Sequence, residues 1–104
     1  MSVMHDRQPA PASTPPLPDL VLYGRPGCHL CDDARALIDL LLAERRARGR
    51  PTPAVVERDI TTNPAWERAF LTTIPVIELD GHRVDLATSA ARIRGLLERL
   101  DATP

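Results

Sequence analysis

The residues from Leu20 to Cys31 read LVLYGRPGCHLC and decide the fold. The run LVLY has the length and apolar character of a short buried strand, and the glycines and proline after it are typical of a loop. From Cys28 onward the pattern becomes helical, because apolar residues recur at the spacing of one helix face. The stretch therefore predicts a strand, a tight loop and a helix beginning at the first of two cysteines. The predicted apolar face of that helix comprises Leu30, Ala34, Leu37, Ile38 and Leu41.

Local signals divide the middle of the chain into further elements. Residues 54 to 60 are predicted to form a second strand. Asn63-Pro64 has the residue types of a helix start, with a capping side chain followed by proline at the first helical position. Asp80-Gly81 separates two apolar runs and is a strong hairpin signal. We therefore expect a short second helix and then an antiparallel strand pair between residues 76 and 86.

The last predicted helix completes the order β-α-β-α-β-β-α. Thr88 or Ser89 is the expected cap. Gly95 lies inside the helix, where glycine costs stability relative to alanine, so its presence suggests that another element packs closely there. The first β-α-β unit is expected to be a parallel crossover and the final hairpin is antiparallel. The order therefore predicts an α/β fold, a mixed four-stranded sheet flanked by helices on both faces.

Composition and charge bound the class of protein. The chain has 104 residues, 43% hydrophobic and 26% charged, with a formal net charge of -1. These values are ordinary for one globular domain and predict no nucleic-acid partner. No apolar run approaches the length of a membrane helix. No secretory signal is visible, so we expect the protein in the cytoplasm. We also expect a monomer. Residues 1 to 18 hold five of the eleven prolines and are predicted to be a flexible tail before a folded domain over residues 19 to 104.

The chemistry is predicted at Cys28 and Cys31. A thiolate at a helix start meets unpaired backbone N–H groups and the positive end of the helix dipole, and both lower the pKa of such a thiol. A second thiol one turn later can close a small disulfide, as thiol–disulfide exchange requires. Because Cys28 is nearer the helix start, it is the expected nucleophile, and Cys31 is expected to resolve the mixed disulfide.

Other interpretations of the two cysteines remain open at this point. They could be core residues by chance, or two thiolates of a metal site completed by His29, His82 or a second chain. They could also mark a face that binds a partner without catalysis. His29 could stabilise a thiolate at Cys28 or simply be exposed at the helix start. We expect no metal.

Pro75 is a second signal. It stands at the start of a strand whose residues are typical of the middle of a sheet, and proline there removes one backbone hydrogen-bond donor. A cis Ile74–Pro75 bond would fit a special turn there, whereas a trans proline that opens the strand is the alternative.

Three separated motifs now match a known pattern. The stretch Tyr23 to Cys31, the strand start Ile74-Pro75-Val76 and the turn Asp80-Gly81 resemble the glutaredoxin-like branch of the thioredoxin superfamily. The resemblance covers about residues 19 to 100 in the correct element order. It implies a thioredoxin-like fold and a thiol–disulfide oxidoreductase acting on protein or small-molecule disulfides.

The resemblance also implies roles for individual residues. Cys28 is then the nucleophile, Cys31 resolves, and a cis Pro75 faces them. The backbone of Ile74 is expected to pair with a bound peptide or thiol in strand-like fashion. Arg25 stands where a basic residue commonly precedes the motif, so it is a candidate contact for a substrate carboxylate, with a solvated loop arginine as the alternative.

The expected co-substrate is a thiol reductant, either glutathione or another donor, with no tightly bound cofactor. Glutaredoxins usually carry Gly-Gly followed by Asp before the last helix, and this chain has Val84-Asp85-Leu86 there. We therefore expect weak, poorly specific glutathione binding and another thiol donor at least as effective.

The remaining conspicuous residues have ordinary expected roles. Asp59 is expected to be a loop acid rather than a proton acceptor for Cys31. Trp66 and Phe70 are expected in the core. A cluster of four arginines is expected to be a solvated helix end: Arg45, Arg46, Arg48 and Arg50.

Overall fold

The computed structural model describes residues 17 to 101. The tail predicted for residues 1 to 18 therefore lies almost wholly outside the described residues. The strands are β1 (Leu20–Gly24), β2 (Val55–Asp59), β3 (Val76–Leu79) and β4 (His82–Val84). The helices are α1 (His29–Ala47), α2 (Pro64–Phe70) and α3 (Ala90–Glu98), and short 3-10 turns span Ile60–Thr62 and Arg99–Asp101.

The four strands form one mixed sheet in the order β2-β1-β3-β4. β1 pairs with β2 in parallel and with β3 in antiparallel orientation, so that Leu22 stands between Glu57 and Ile77. β3 and β4 form the predicted antiparallel hairpin. Its turn residues Asp80 and Gly81 have φ of 51° and 81°, which is the left-handed backbone of a tight hairpin turn. The predicted element order and mixed sheet are confirmed.

Alternation along β1 sends its side chains into two separate cores, one on each face of the sheet. Leu20 and Leu22 enter a larger cluster with residues of α1 and α3. Val21 and Tyr23 enter a smaller cluster that includes Phe70 of α2. Helices therefore cover both faces of the sheet, as predicted.

The helix starts follow from local hydrogen bonds. Asn63 caps α2, because its side-chain oxygen accepts from the backbone N–H groups of Ala65 and Trp66 at 2.9 and 3.4 Å. Ser89 caps α3 by accepting from the N–H of Arg92 at 3.3 Å. Of the two caps considered for α3, the structure uses Ser89.

Two expectations about helix faces were wrong. Leu30 does not join the apolar face of α1 and is 49% exposed. Its neighbour Cys31 turns inward in that first turn, and successive helix residues point roughly 100° apart. Gly95 does not mark a close approach within residues 17 to 101, because a Cβ built on it would meet no atom of theirs within 4 Å.

Arg45 also departs from its expected solvated position. It is only 7% exposed at the end of α1. Its Nε and one terminal nitrogen donate to the carbonyl of Pro51 at 3.1 and 2.9 Å. Both terminal nitrogens donate to the carboxylate of Asp101 at 3.0 Å. Arg46, Arg48 and Arg50 are exposed, as expected.

Candidate active site

Cys28 and Cys31 form a disulfide at the start of α1, with their Cα atoms 5.2 Å apart. Cys28 is the N-cap residue in extended backbone conformation, and Cys31 lies in the first turn. The Sγ of Cys28 accepts a hydrogen bond from the backbone N–H of Cys31 at 3.1 Å. Cys28 is half-buried and Cys31 is buried, so the cysteine at the cap is the more exposed residue of the two.

Gly24 allows Cys31 to approach the end of β1. A Cβ at Gly24 would stand 3.1 Å from both the Cβ and the Sγ of Cys31, closer than most side-chain contacts. A larger residue would push the cysteine away from the strand. Gly24 was not predicted to be a site residue. The available signal was a glycine at the end of a strand, which often marks a close approach of the backbone to another group.

The loop that carries Ile74 and Pro75 lies in the same core cluster as the cysteines. The Ile74–Pro75 peptide bond is cis, as predicted. Ile74 and Val76 belong to the smaller core cluster together with Cys31, and Cys28 packs against that cluster. The structure therefore places Ile74 and the cysteine pair in one core cluster, although they come from distant parts of the chain.

Backbone hydrogen bonds hold this loop from both sides. The N–H of Ile74 donates to the carbonyl of Phe70 at 3.0 Å. The carbonyls of Thr73 and Pro75 accept from the N–H groups of Leu86 and Ala87 at 2.9 and 2.8 Å. Strand-like pairing of Ile74 with a bound chain stays a prediction, and it would use the carbonyl of Ile74 or require release of its N–H.

Arg25 is exposed in the loop between β1 and α1. It lines an open cavity of about 420 Å³ that also reaches Cys31 and Gly24. Contact between Arg25 and a substrate carboxylate stays a prediction. The charged side chains around the cavity are balanced in sign: Arg25, Arg35 and Arg58 against Asp32, Glu57 and Asp59.

Asp59 serves a local role at the end of β2. Its Oδ1 accepts from the backbone N–H and the hydroxyl of Thr61 at 2.9 and 2.6 Å. These hydrogen bonds hold the pKa of the Asp59 carboxyl below its ordinary value. A carboxylate with a lowered pKa is a poor proton acceptor for a thiol. The geometry therefore favours the interpretation of Asp59 as a capping loop acid.

An aromatic group packs beside the cysteine pair. The ring of Tyr23 lies 4.4 Å from that of Phe70 and meets Trp66 edge-on at 5.8 Å. The guanidinium of Arg58 lies over Trp66 at 5.2 Å. Burial, and then the nearby carboxylate of Glu78, raises the pKa of Tyr23. Phe70 is buried, as expected, whereas Trp66 is only partly buried.

Two features are absent from residues 17 to 101. No three or more His, Cys, Asp or Glu side chains stand together as a metal site in this part of the chain. None of the helices described there has the length and apolar character needed to cross a membrane.

Solved structures resemble this chain over most of its length. The X-ray structure of target protein XcR50 from X. campestris is 35% identical, with a TM-score of 0.58, over 82% of this chain and 99% of that one. The solution structure of XcR50 is 34% identical, with a TM-score of 0.56, over 83% of this chain and 96% of that one. Protein Ne2328 from Nitrosomonas europaea is 21% identical and shares the fold, with a TM-score of 0.62, over 81% of this chain and 94% of that one. No curated protein matches.

The model of one protein family matches residues 19 to 101, described as a glutaredoxin-like domain (DUF836). That span contains every strand and helix described above, and the solved relatives share the thioredoxin-like arrangement of the mixed sheet. The chain belongs to the glutaredoxin-like DUF836 family.

Proposed function

We propose that this protein is a thiol–disulfide oxidoreductase in which Cys28 attacks and Cys31 resolves. One observation carries the proposal: the two cysteines form a disulfide across the first turn of α1, with Cys28 as the cap. The helix start supplies an N–H donor to the Cys28 sulfur at 3.1 Å, which stabilises negative charge there. The glutaredoxin-like family supports a redox role for this pair.

The reaction begins with the reduced protein. The thiolate of Cys28 attacks one sulfur of a substrate disulfide, so that a mixed disulfide forms and the other substrate sulfur leaves as a thiolate that takes up a proton. The thiol of Cys31 then loses its proton, and its sulfur attacks the Sγ of Cys28. The Cys28–Cys31 bond forms as the bond to the substrate breaks. The substrate gains two electrons and the protein loses two, which a thiol reductant restores.

The proposed substrate is a disulfide-containing protein or a small-molecule disulfide. Glutathione is proposed to serve only weakly as reductant. The loop after β4 lacks the Gly-Gly-Asp element and holds instead Asp85, whose carboxylate would repel those of glutathione, and the apolar Leu86. The Oδ1 of Asp85 lies 2.9 Å from Nε of Arg83, so the carboxylate is partly neutralised but still present. We propose a monomer that works in the cytoplasm, where cysteine pairs are kept reduced unless they do redox chemistry.

Thiol labelling tests the proposal directly. Mass spectrometry after alkylation should show two labels on the reduced protein and none after mild oxidation. Cys28→Ser should abolish disulfide reduction, and Cys31→Ser should trap a mixed disulfide at Cys28. Leu40→Ser is the matched control, since Leu40 is 57% exposed on α1 and should leave turnover unchanged.

Three results would contradict the proposal or its details. Two free thiols that persist after mild oxidation would favour a partner-binding protein without catalysis. A mixed disulfide trapped at Cys31 in the Cys28→Ser variant would show that Cys31 attacks and Cys28 resolves. Saturable turnover with glutathione, and none with an enzymatic reductant in the same assay, would overturn the proposed choice of reductant.

A further inference from the structure

Leu86 has a backbone conformation that its side chain does not favour. Its φ is 47°, in the left-handed region that suits glycine, because a Cβ there crowds the following carbonyl. The side chain is 49% exposed and belongs to neither core cluster. Packing among residues 17 to 101 therefore does not explain why a leucine occupies this position.

Hydrogen bonds on both sides hold Leu86 in place. Its N–H donates to the carbonyl of Thr73 at 2.9 Å, and its own carbonyl accepts from the N–H of Thr88 at 2.7 Å. The next residue, Ala87, donates to the carbonyl of Pro75 at 2.8 Å. The bonds to Thr73 and Pro75 stand on either side of Ile74, so Leu86 lies directly beside the loop that packs with the cysteines.

Two more exposed leucines lie in the cysteine helix and shortly before the Ile74 loop. Leu30 stands between the two cysteines and is 49% exposed. Leu71 is 48% exposed and lies two residues before Thr73, the partner of Leu86. Exposed leucines thus lie on the cysteine helix, just before the Ile74 loop and beside it.

We infer that Leu86 is a specificity-determining residue that contacts the substrate next to the sulfur bound to Cys28, and that it favours polypeptides whose residues flanking the cysteine are apolar. The inference rests on the proposed function. Covering a half-exposed leucine with another apolar side chain removes apolar surface from water. A small charged thiol gains nothing from that contact and must desolvate its charged groups to make it. Strained residues held by their surroundings also cluster at binding sites.

The test compares two cyclic peptides of equal length, each with one internal disulfide. In one peptide leucine and valine flank the cysteines, and in the other serine and asparagine do. Wild-type protein should reduce the apolar peptide with a kcat/KM about tenfold higher, the size of effect that one apolar contact gives. Leu86→Asn should remove most of this preference by lowering only the value for the apolar peptide. Asparagine accepts left-handed backbone, so the loop should keep its shape.

Leu40→Asn is the control, an exposed leucine on α1 that should leave the preference unchanged. Equal kcat/KM for the two peptides with wild type, or an equal loss for both peptides in Leu86→Asn, would overturn the inference.

A second readout separates this inference from the proposed function. A linear version of the apolar peptide, with serine in place of cysteine, is titrated into the oxidised protein and followed by NMR. Leu86→Asn should weaken this binding about tenfold. If neither peptide is reduced, the oxidoreductase proposal fails while the binding result still decides the role of Leu86. Equal binding by wild type and Leu86→Asn would show that Leu86 does not contact the substrate.

Discussion

At the scale of single residues, the redox site depends on a missing side chain as much as on the two sulfurs. Gly24 ends β1 where the buried Cys31 lies against it, and a Cβ there would stand 3.1 Å from two atoms of the cysteine. A protein interior is close-packed, so such a contact is relieved only by movement of the helix turn or of the strand end. Gly24 thus allows Cys31 to lie against the end of β1.

Gly24→Ala should lower the free energy of unfolding of the oxidised protein by about 1 to 3 kcal/mol, because the added methyl group overpacks the contact with Cys31. Urea unfolding at neutral pH measures the change. An unchanged unfolding midpoint would mean that Cys31 shifts without cost, and its place against β1 would then not depend on Gly24.

At the scale of elements, α3 contains a glycine that the fold does not require. Gly95 lies inside the helix, and a Cβ there would meet no atom of the described part of the chain within 4 Å. Glycine in a helix interior loses more conformational freedom on folding than alanine does. Gly95 therefore lowers the stability of α3 without making room for a close contact.

Gly95→Ala should raise the free energy of unfolding by about 0.5 to 1 kcal/mol, since it removes this entropic cost and creates no clash. The same urea titration measures the change, and its expected sign is opposite to that for Gly24→Ala. A loss of stability would indicate a close contact at Gly95 that the structure does not contain.

Most elements could be predicted from sequence because their signals are local. A helix cap and the Asp80-Gly81 turn need only neighbouring backbone groups; the turn forms as predicted, and Ser89 is the one of the two predicted caps that the structure uses. Leu30 was misplaced because periodicity identifies a helix face without showing where the first turn leaves the core. The strained backbone of Leu86 was missed for a related reason, since hydrogen bonds to the Ile74 loop hold it and that loop is distant in sequence.

At the scale of the whole molecule, Arg45 ties together three separate segments. It joins the end of α1 to the carbonyl of Pro51 and to Asp101 in the last described turn. Arg50 also lies 3.0 Å from the same carboxylate. Sequence reasoning could not find this tie, because the two charged partners are 56 positions apart and a cluster of arginines ordinarily faces solvent.

Asp101→Asn should lower the free energy of unfolding by about 1 to 2 kcal/mol at pH 7, because the buried guanidinium loses a charged partner. The hydrogen bond from Arg45 holds the pKa of the Asp101 carboxyl below its usual value. A lowered pKa in the folded state means that the carboxylate stabilises the protein above the unfolded pKa of about 3.9, and that this contribution is lost as pH falls.

Thermal or urea unfolding at a series of pH values measures this effect. The difference between wild type and Asp101→Asn should be constant near neutral pH, shrink below about pH 4 and vanish in stronger acid. A difference that persists unchanged at low pH would contradict an ionic origin.

The position of Trp66 gives the molecule its own optical probe. It is the chain's single tryptophan, and it packs against the cluster that contains Cys31. All indole emission from this protein therefore arises from one side chain on the cluster of Cys31, with Tyr23 and Arg58 as near neighbours. Because a disulfide quenches a nearby indole more strongly than two thiols do, we expect reduction of the Cys28–Cys31 bond to brighten this emission, which would follow the proposed exchange in real time and without any label.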